Sequence, residues 1–180
     1  MLAKAFAHEG SDLVITGRNE GRLVEAKEKL EAEFGVNVLP IAADGADEEA
    51  IKRVVSAAIE RFGRIDTLIN NAQVSKSGLP LVEHTREDLD LAIKSGLYAA
   101  FFYMKECYPY LKESKGSVIN FASGAGLFGK LGQSSYAAAK EGIRVNVVCP
   151  LAMTESLQEW KENYPDLLQK TIQGGSGLRP

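Results

Sequence analysis

The sequence predicts a doubly wound α/β fold, a parallel sheet with helices on both faces, in a single domain over residues 1–180. Three observations predict it. Short apolar, β-branched runs alternate with helix-length segments almost throughout. The runs are continuously apolar rather than alternating, as expected of parallel strands covered on both faces. The segments between them carry apolar residues on one helical face and are punctuated by caps and stops.

Taken in order, residues 12–16 (DLVIT) form the first strand. Leu23, Ala26, Leu30 and Phe34 then fall on one face of a helix that Gly35 stops. Residues 36–42 give the second strand. Asp47 caps a helix whose stripe is Ile51, Val54, Val55, Ala58, Ile59 and Phe62, closed by Gly63. Residues 65–69 are a third strand. Thr85 and Asp88 stand at capping-box spacing and open a long helix through Ala92, Leu97 and Phe101 to the neighbourhood of Cys107. Residues 117–121 (SVINF) and 143–148 (IRVNVV) complete the strands.

Two places break this order. Residues 123–133 read as a glycine-rich loop, which leaves only 134–141 for the crossover helix. Eight helical residues rise about 12 Å, whereas a six-residue strand runs about 20 Å. So short a helix barely returns the chain to the start of a parallel neighbour. The second break follows Gln173, where a helical stretch meets GGSG at 174–177. Either the protein is shortened at these points or pieces of a longer chain are joined. Cα atoms linked by a trans peptide lie about 3.8 Å apart, so a longer step at Lys140–Glu141 or Gln173–Gly174 would betray an omission.

Bulk properties bound the function. At 180 residues with 45% hydrophobic content, the chain can bury one sizeable core. A net charge of −3 gives no electrostatic case for nucleic acid or an anionic membrane. Cys107 and Cys149 are far apart and only His8 and His84 accompany them, so neither a disulfide framework nor a metal site is expected. The longest apolar run, 97–104, is too short to span a bilayer. The N-terminus, with Lys4, His8 and Glu9, is no signal peptide. A cytoplasmic protein is expected.

The chemistry lies in Tyr136, Lys140 and Ser123. Four residues separate the tyrosine from the lysine, so a helix puts both on one face. An ammonium beside a phenol favours the phenolate. A serine from the preceding loop can then hold a carbonyl or hydroxyl oxygen against that phenol, an arrangement suited to proton transfer coupled to hydride transfer. The bland alternative is a solvated helix face with a loop-capping serine. Gly124, Gly126 and Gly129 spell GxGxxG directly after a strand, but Gly132 continues the loop where a dinucleotide fingerprint would open a helix. The stretch reads instead as a loop beside the substrate.

Together with Asp44, Asn70-Asn71-Ala72, the strand ending in Ser123, and VNVVCP ending at Pro150, these motifs resemble the short-chain dehydrogenase/reductase family in their order along the chain. The tail GGSGLRP resembles the segment after that family's last strand. The resemblance implies a Rossmann-like sheet, here incomplete. The family's opening strand and glycine-rich pyrophosphate turn, most of the helix after Lys140, and a segment before Gly174 have no counterpart. It implies that Tyr136 is the general acid/base, that Lys140 tunes it and binds the nicotinamide ribose, and that Ser123 positions the reacting oxygen. Arg18, Asp44, Gly45, Asn71, Ala72 and Pro150 join Tyr136 and Lys140 on the cofactor side.

Gly17 stands where NAD-preferring members carry an acid, and Arg18 follows it, so NADP(H) is the preferred cofactor and NAD(H) the alternative. Three departures stand out: Gln73 and Leu151 replace usual glycines, and Ile93 falls where a catalytic asparagine is common. The substrate would be a small carbonyl or alcohol, and the apolar helix around Leu97, Ala100, Phe101 and Phe102 would serve a homodimer or homotetramer. Two rivals remain: a truncated, non-catalytic relative acting as a binding or assembly subunit, and a flavodoxin-like module that accounts for neither Ser123 nor Tyr136.

Overall fold

Each long helix starts and stops where a local group satisfies the backbone donors and acceptors that a helix end leaves over. The computed structural model describes residues 2–128 and 131–143. Along them run α1 (Leu2–His8), β1 (Leu13–Gly17), α2 (Glu20–Phe34), β2 (Val38–Ala42), α3 (Glu48–Phe62) and β3 (Thr67–Asn70). Next come α4 (Arg86–Ala92), a π turn (Ile93–Tyr98), α5 (Ala99–Ser114), β4 (Ser117–Asn120), α6 (Gly124–Phe128) and α7 (Ser134–Ile143). The Asn19 and Asp47 side chains accept from Arg22 N and Glu49 N to cap α2 and α3. Gly35 and Gly63 end those helices at φ 70° and 75°, a left-handed conformation that only glycine adopts freely. The Thr85–Asp88 capping box is formed on both sides.

The long helix runs past the expected end at Cys107 to Ser114, through Pro109. A proline inside a helix removes one hydrogen bond, to the residue four back, and packing on β3 holds the helix together across it. Lys115 in the left-handed region, at φ 55°, then turns the chain. At Gly116 a Cβ would collide with the Asp66 carbonyl, so the turn into β4 admits no side chain.

The class is the expected Rossmann-like α/β arrangement, and it is incomplete. β1 pairs in parallel with β2, Leu13 opposite Val38, and β3 pairs in parallel with β4, Thr67 opposite Ser117. These are two separate two-stranded sheets. Each has its own core. Ala7, Leu30, Val36 and Val38 pack with Leu13 and Ile15 around the first pair. Val55, Cys107 and Leu111 pack with Ile65, Leu68 and Tyr103 around the second. Helix α3 packs on β2 and α5 on β3, and the two helices pack on one another. The strands β1 and β3 are mostly half-buried, where a closed sheet would bury them fully.

Helix α7 passes through Lys140 and Glu141 without interruption and ends at Ile143, two residues beyond the expected end. The rest of the expected 143–148 strand, Pro150, Leu151 and the Gln173–Gly174 junction lie outside the described residues. Among the described residues, no helix is long and apolar enough to cross a membrane.

Candidate active site

Beyond β4 the chain meets Ser123, whose Oγ accepts from Ala125 N at 3.2 Å. Its carbonyl accepts from Gly126 N at 3.0 Å and Leu127 N at 3.2 Å. The serine therefore starts a helical turn, and residues 124–128 are the short helix α6 where a loop was expected. The middle glycine of the GxGxxG pattern has a packing reason. A Cβ at Gly126 would lie 3.0 Å from Glu141 N and 3.2 Å from Lys140 Cβ, so α6 rests directly on α7.

On α7, Lys140 is 4% exposed. Its Nζ donates to Phe121 O at 2.7 Å and lies 5.9 Å from the centroid of the Tyr136 ring. Burial pushes the pKa of this ammonium below the ordinary lysine value. An ammonium has three N–H donors, so the bond to Phe121 leaves two for a ligand. The neighbouring Ser135 Oγ is buried with no partner.

A cavity of about 700 Å³ gathers much of what the sequence singled out. Arg18, Asp44, Gly45, Asn71, Ala72 and Lys140 all line it. Ser123 and Tyr136, which the sequence places with Lys140, are not among its lining residues; Ser123 precedes α6 and Tyr136 lies on α7. Asp44 Oδ1 accepts from Ala46 N at 2.9 Å, so one carboxylate oxygen is tied to its own turn. Gly45 presses on α5: a Cβ there would come within 3.3 Å of Ala99 Cβ. Asn70, just before the Asn71 turn, donates from Nδ2 to Asn120 Oδ1 at 2.8 Å and fixes the ends of β3 and β4 side by side.

Three further residues join the site. Arg22 stands with Arg18 around a shallow cavity at the end of β1. The spacing of the two arginines across the start of α2 was the available signal. Ser95 sits in the π turn, its Oγ within 2.6 Å of Leu91 O and 2.9 Å of Val74 O while accepting from Val74 N at 3.0 Å. A serine bonded to the carbonyl four residues back competes with the helix ladder and favours such a turn. Ser95 and Gly96 line the cavity and Ile93 does not, so the polar group the kink offers the site is a hydroxyl two residues beyond the expected position. Gln73, in place of a glycine, lays its amide on Gly96, where a Cβ would sit 2.7 Å from Gln73 Cδ. Its Nε2 lies 3.5 Å from Ala92 O, and its buried Oε1 has no partner. An unpaired buried acceptor at a cavity wall suits a ligand hydroxyl.

The model of the short chain dehydrogenase family matches residues 1–149. A 12alpha-hydroxysteroid dehydrogenase from a Clostridium species is 55% identical over 193 residues, covering 96% of this chain and 74% of that protein. That stretch exceeds the 180 residues of this chain, so the match opens gaps on this side. The crystal structure of an NAD+-bound xylitol dehydrogenase superimposes with a TM-score of 0.73 at 26% identity, over 79% of this chain and 55% of that one. An alcohol dehydrogenase from Thermococcus sibiricus, complexed with 5-hydroxy-NADP, shares the fold with a TM-score of 0.76 at 22% identity, over 92% and 66% of the two chains. The chain thus spans about half to three-quarters of the length of these relatives.

Proposed function

The chain belongs to the short-chain dehydrogenase family, and from that premise we propose an NADP(H)-preferring oxidoreductase acting on a carbonyl or secondary alcohol, with NAD(H) as the lesser cofactor. The observation that carries the reading is the buried Lys140 ammonium, anchored on Phe121 O beside the Tyr136 ring and lining one cavity with Asp44 and Asn71. Arg18 and Arg22 fit a 2′-phosphate, Asp44 an adenine amine, and the two free donors of Lys140 a ribose diol. When bound, the nicotinamide supplies or accepts the hydride. Tyr136 moves the proton at the reacting oxygen, Lys140 biases its phenol toward the anion, and Ser123 holds that oxygen in place. The 55% identity favours a hydroxysteroid as the substrate. Self-association would use the exposed aromatic face of the π turn and α5, where Tyr98, Phe101 and Tyr108 stand outward.

Hydride transfer from a hydroxysteroid to NADP+ tests the reading. Tyr136→Phe is expected to lower the rate about 10³-fold or more, with NADPH binding retained. Near-normal turnover would remove Tyr136 from its role. A second reading, a non-catalytic binding or assembly subunit, draws support from the division of the strands into two separate pairs. Under it, NADPH fluorescence would not respond to the protein at all.

A further inference from the structure

The carboxamide of Gln73 lies flat on the π turn, and a glycine at position 96 makes room for it. A Cβ at Gly96 would stand 2.7 Å from Gln73 Cδ and 3.0 Å from both Nε2 and Oε1. The equal distances to nitrogen and oxygen mean that the face of the amide, not its edge, covers the glycine. Ala92 O is an acceptor 3.5 Å from Nε2, so it fixes which end of the amide carries the nitrogen. Oε1 is left buried and without a donor among the described residues. Ser95 does not serve it, because its hydroxyl is engaged with Leu91 O and with Val74 O and N. A buried amide oxygen is costly to leave unpaired.

The amide is held loosely. Its contact with Ala92 O stands at the outer limit of a hydrogen bond, and the terminal torsion of a glutamine is broad. A small rotation therefore turns Oε1 toward the cavity that Gln73 already lines. Lys140 lines the same cavity with the opposite deficit. Its ammonium has donors only, and Phe121 O takes one of them.

What suits both groups at once follows from this pairing. A phosphate, carboxylate or carbonyl oxygen takes the donors of Lys140 and leaves Oε1 unmet. An amine or amide N–H does the reverse. A hydroxyl does both, accepting at its oxygen and donating its proton. Asp44 and Asn71, the other acceptors assigned to the cofactor, are exposed and meet water without a ligand. We propose that Gln73 is a cofactor-binding residue whose Oε1 accepts from a hydroxyl of the nicotinamide ribose, the diol to which Lys140 donates. This rests on the oxidoreductase reading and adds to it the acceptor that a lysine cannot supply.

The test is cofactor binding to the full chain, read by NADPH fluorescence with no substrate present and hence no turnover. Two NADPH analogues lack the 2′- or the 3′-hydroxyl of the nicotinamide ribose. One of them is expected to bind the parent about thirtyfold more weakly than NADPH, about tenfold of this through Gln73. Gln73→Met keeps the length of the side chain and has no such acceptor. It is expected to weaken NADPH about tenfold and leave that analogue unchanged, so discrimination falls to about threefold. Gln73→Glu keeps an acceptor oxygen at the same reach and is expected to retain the discrimination of the parent. The probe 2′,5′-ADP has no nicotinamide ribose and is expected to bind the parent and Gln73→Met alike.

Undiminished discrimination in Gln73→Met would overturn the proposal, as would its loss in Gln73→Glu. Equal weakening of NADPH and 2′,5′-ADP in Gln73→Met would make the glutamine a prop of the fold and overturn it too. A parent that binds NADPH yet distinguishes neither analogue from it fails this proposal alone. A parent that binds neither NADPH nor 2′,5′-ADP fails the oxidoreductase reading and takes this one with it.

Discussion

The β1–β2 half and the β3–β4 half are each a parallel pair with its own core, yet they are held in different ways and carry different chemistry. In the first, Asn19 caps the helix beside the pair, and Asp12 accepts from Asn37, twenty-five residues on, across its start. It presents Arg18 and Asp44, groups suited to the ends of a dinucleotide. In the second, Ser114 Oγ donates to Ile65 O and Asn70 to Asn120 over about fifty residues, and Lys140 donates to Phe121 O. It presents Asn71, Ser95 and Lys140, with Ser123 at the start of α6 and Tyr136 on α7. Under the proposed function, recognition would sit on one half and proton handling on the other, with α3 and α5 packed on one another. Affinity and rate should therefore be separable by mutation.

The sharpest way to break that separation is Lys140→Met. Hydride-transfer rate is expected to fall about 10²- to 10³-fold, while the melting profile changes its pH dependence. Burial lowers the Lys140 pKa from an ordinary value of 10.5. Between the lowered value and 10.5 the unfolded chain holds more protons than the folded one, so stability of the parent protein rises with pH through that window. Below the window the full cost of the buried charge is felt. Thermal melts from neutral to alkaline pH should show this rise in the parent and a flatter profile in the variant.

Gly116→Ala addresses the second half by stability alone. The added methyl meets Asp66 O, Leu111 and Ser114 at the entry to β4. A loss of about 2–3 kcal/mol is expected in urea melts, with exchange speeding first in β3 and β4. Uniform loosening of β1 and β2 would show that the halves are not independent.

Arg18→Gln probes the first half and has the smallest expected effect. NADPH binding should weaken about tenfold, near 1.4 kcal/mol, with NADH binding and the rate at saturating cofactor unchanged. An equal loss for both cofactors would remove the 2′-phosphate role from this arginine.

What the sequence revealed is what short-range physics decides. The Thr85–Asp88 box, the Asp47 cap, the Gly35 and Gly63 stops and the α3 stripe each depend on residues within a turn or two, and each formed. The parallel pairing gathers Arg18, Asp44 and Asn71 at strand ends, and Lys140 reaches the same cavity from α7. The remainder depended on residues far apart. Ser95 became a site residue only because Val74, twenty-one positions earlier, accepts and donates to it. α6 became a helix because Ser123 caps it and α7 offers a seat, whereas its glycines alone argue for a loop. The division of the sheet into two pairs accords with the incomplete sheet that the resemblance implied.

The fit of Gly126 onto Lys140 carries a mechanical implication. With Gly126 of α6 packed against the backbone and Cβ of Lys140, a shift of residues 124–128 would press on the helix that carries the ammonium. A bulky ligand that displaced residues 124–128 would therefore load α7, and fit at one end would be felt at the other through a single backbone contact.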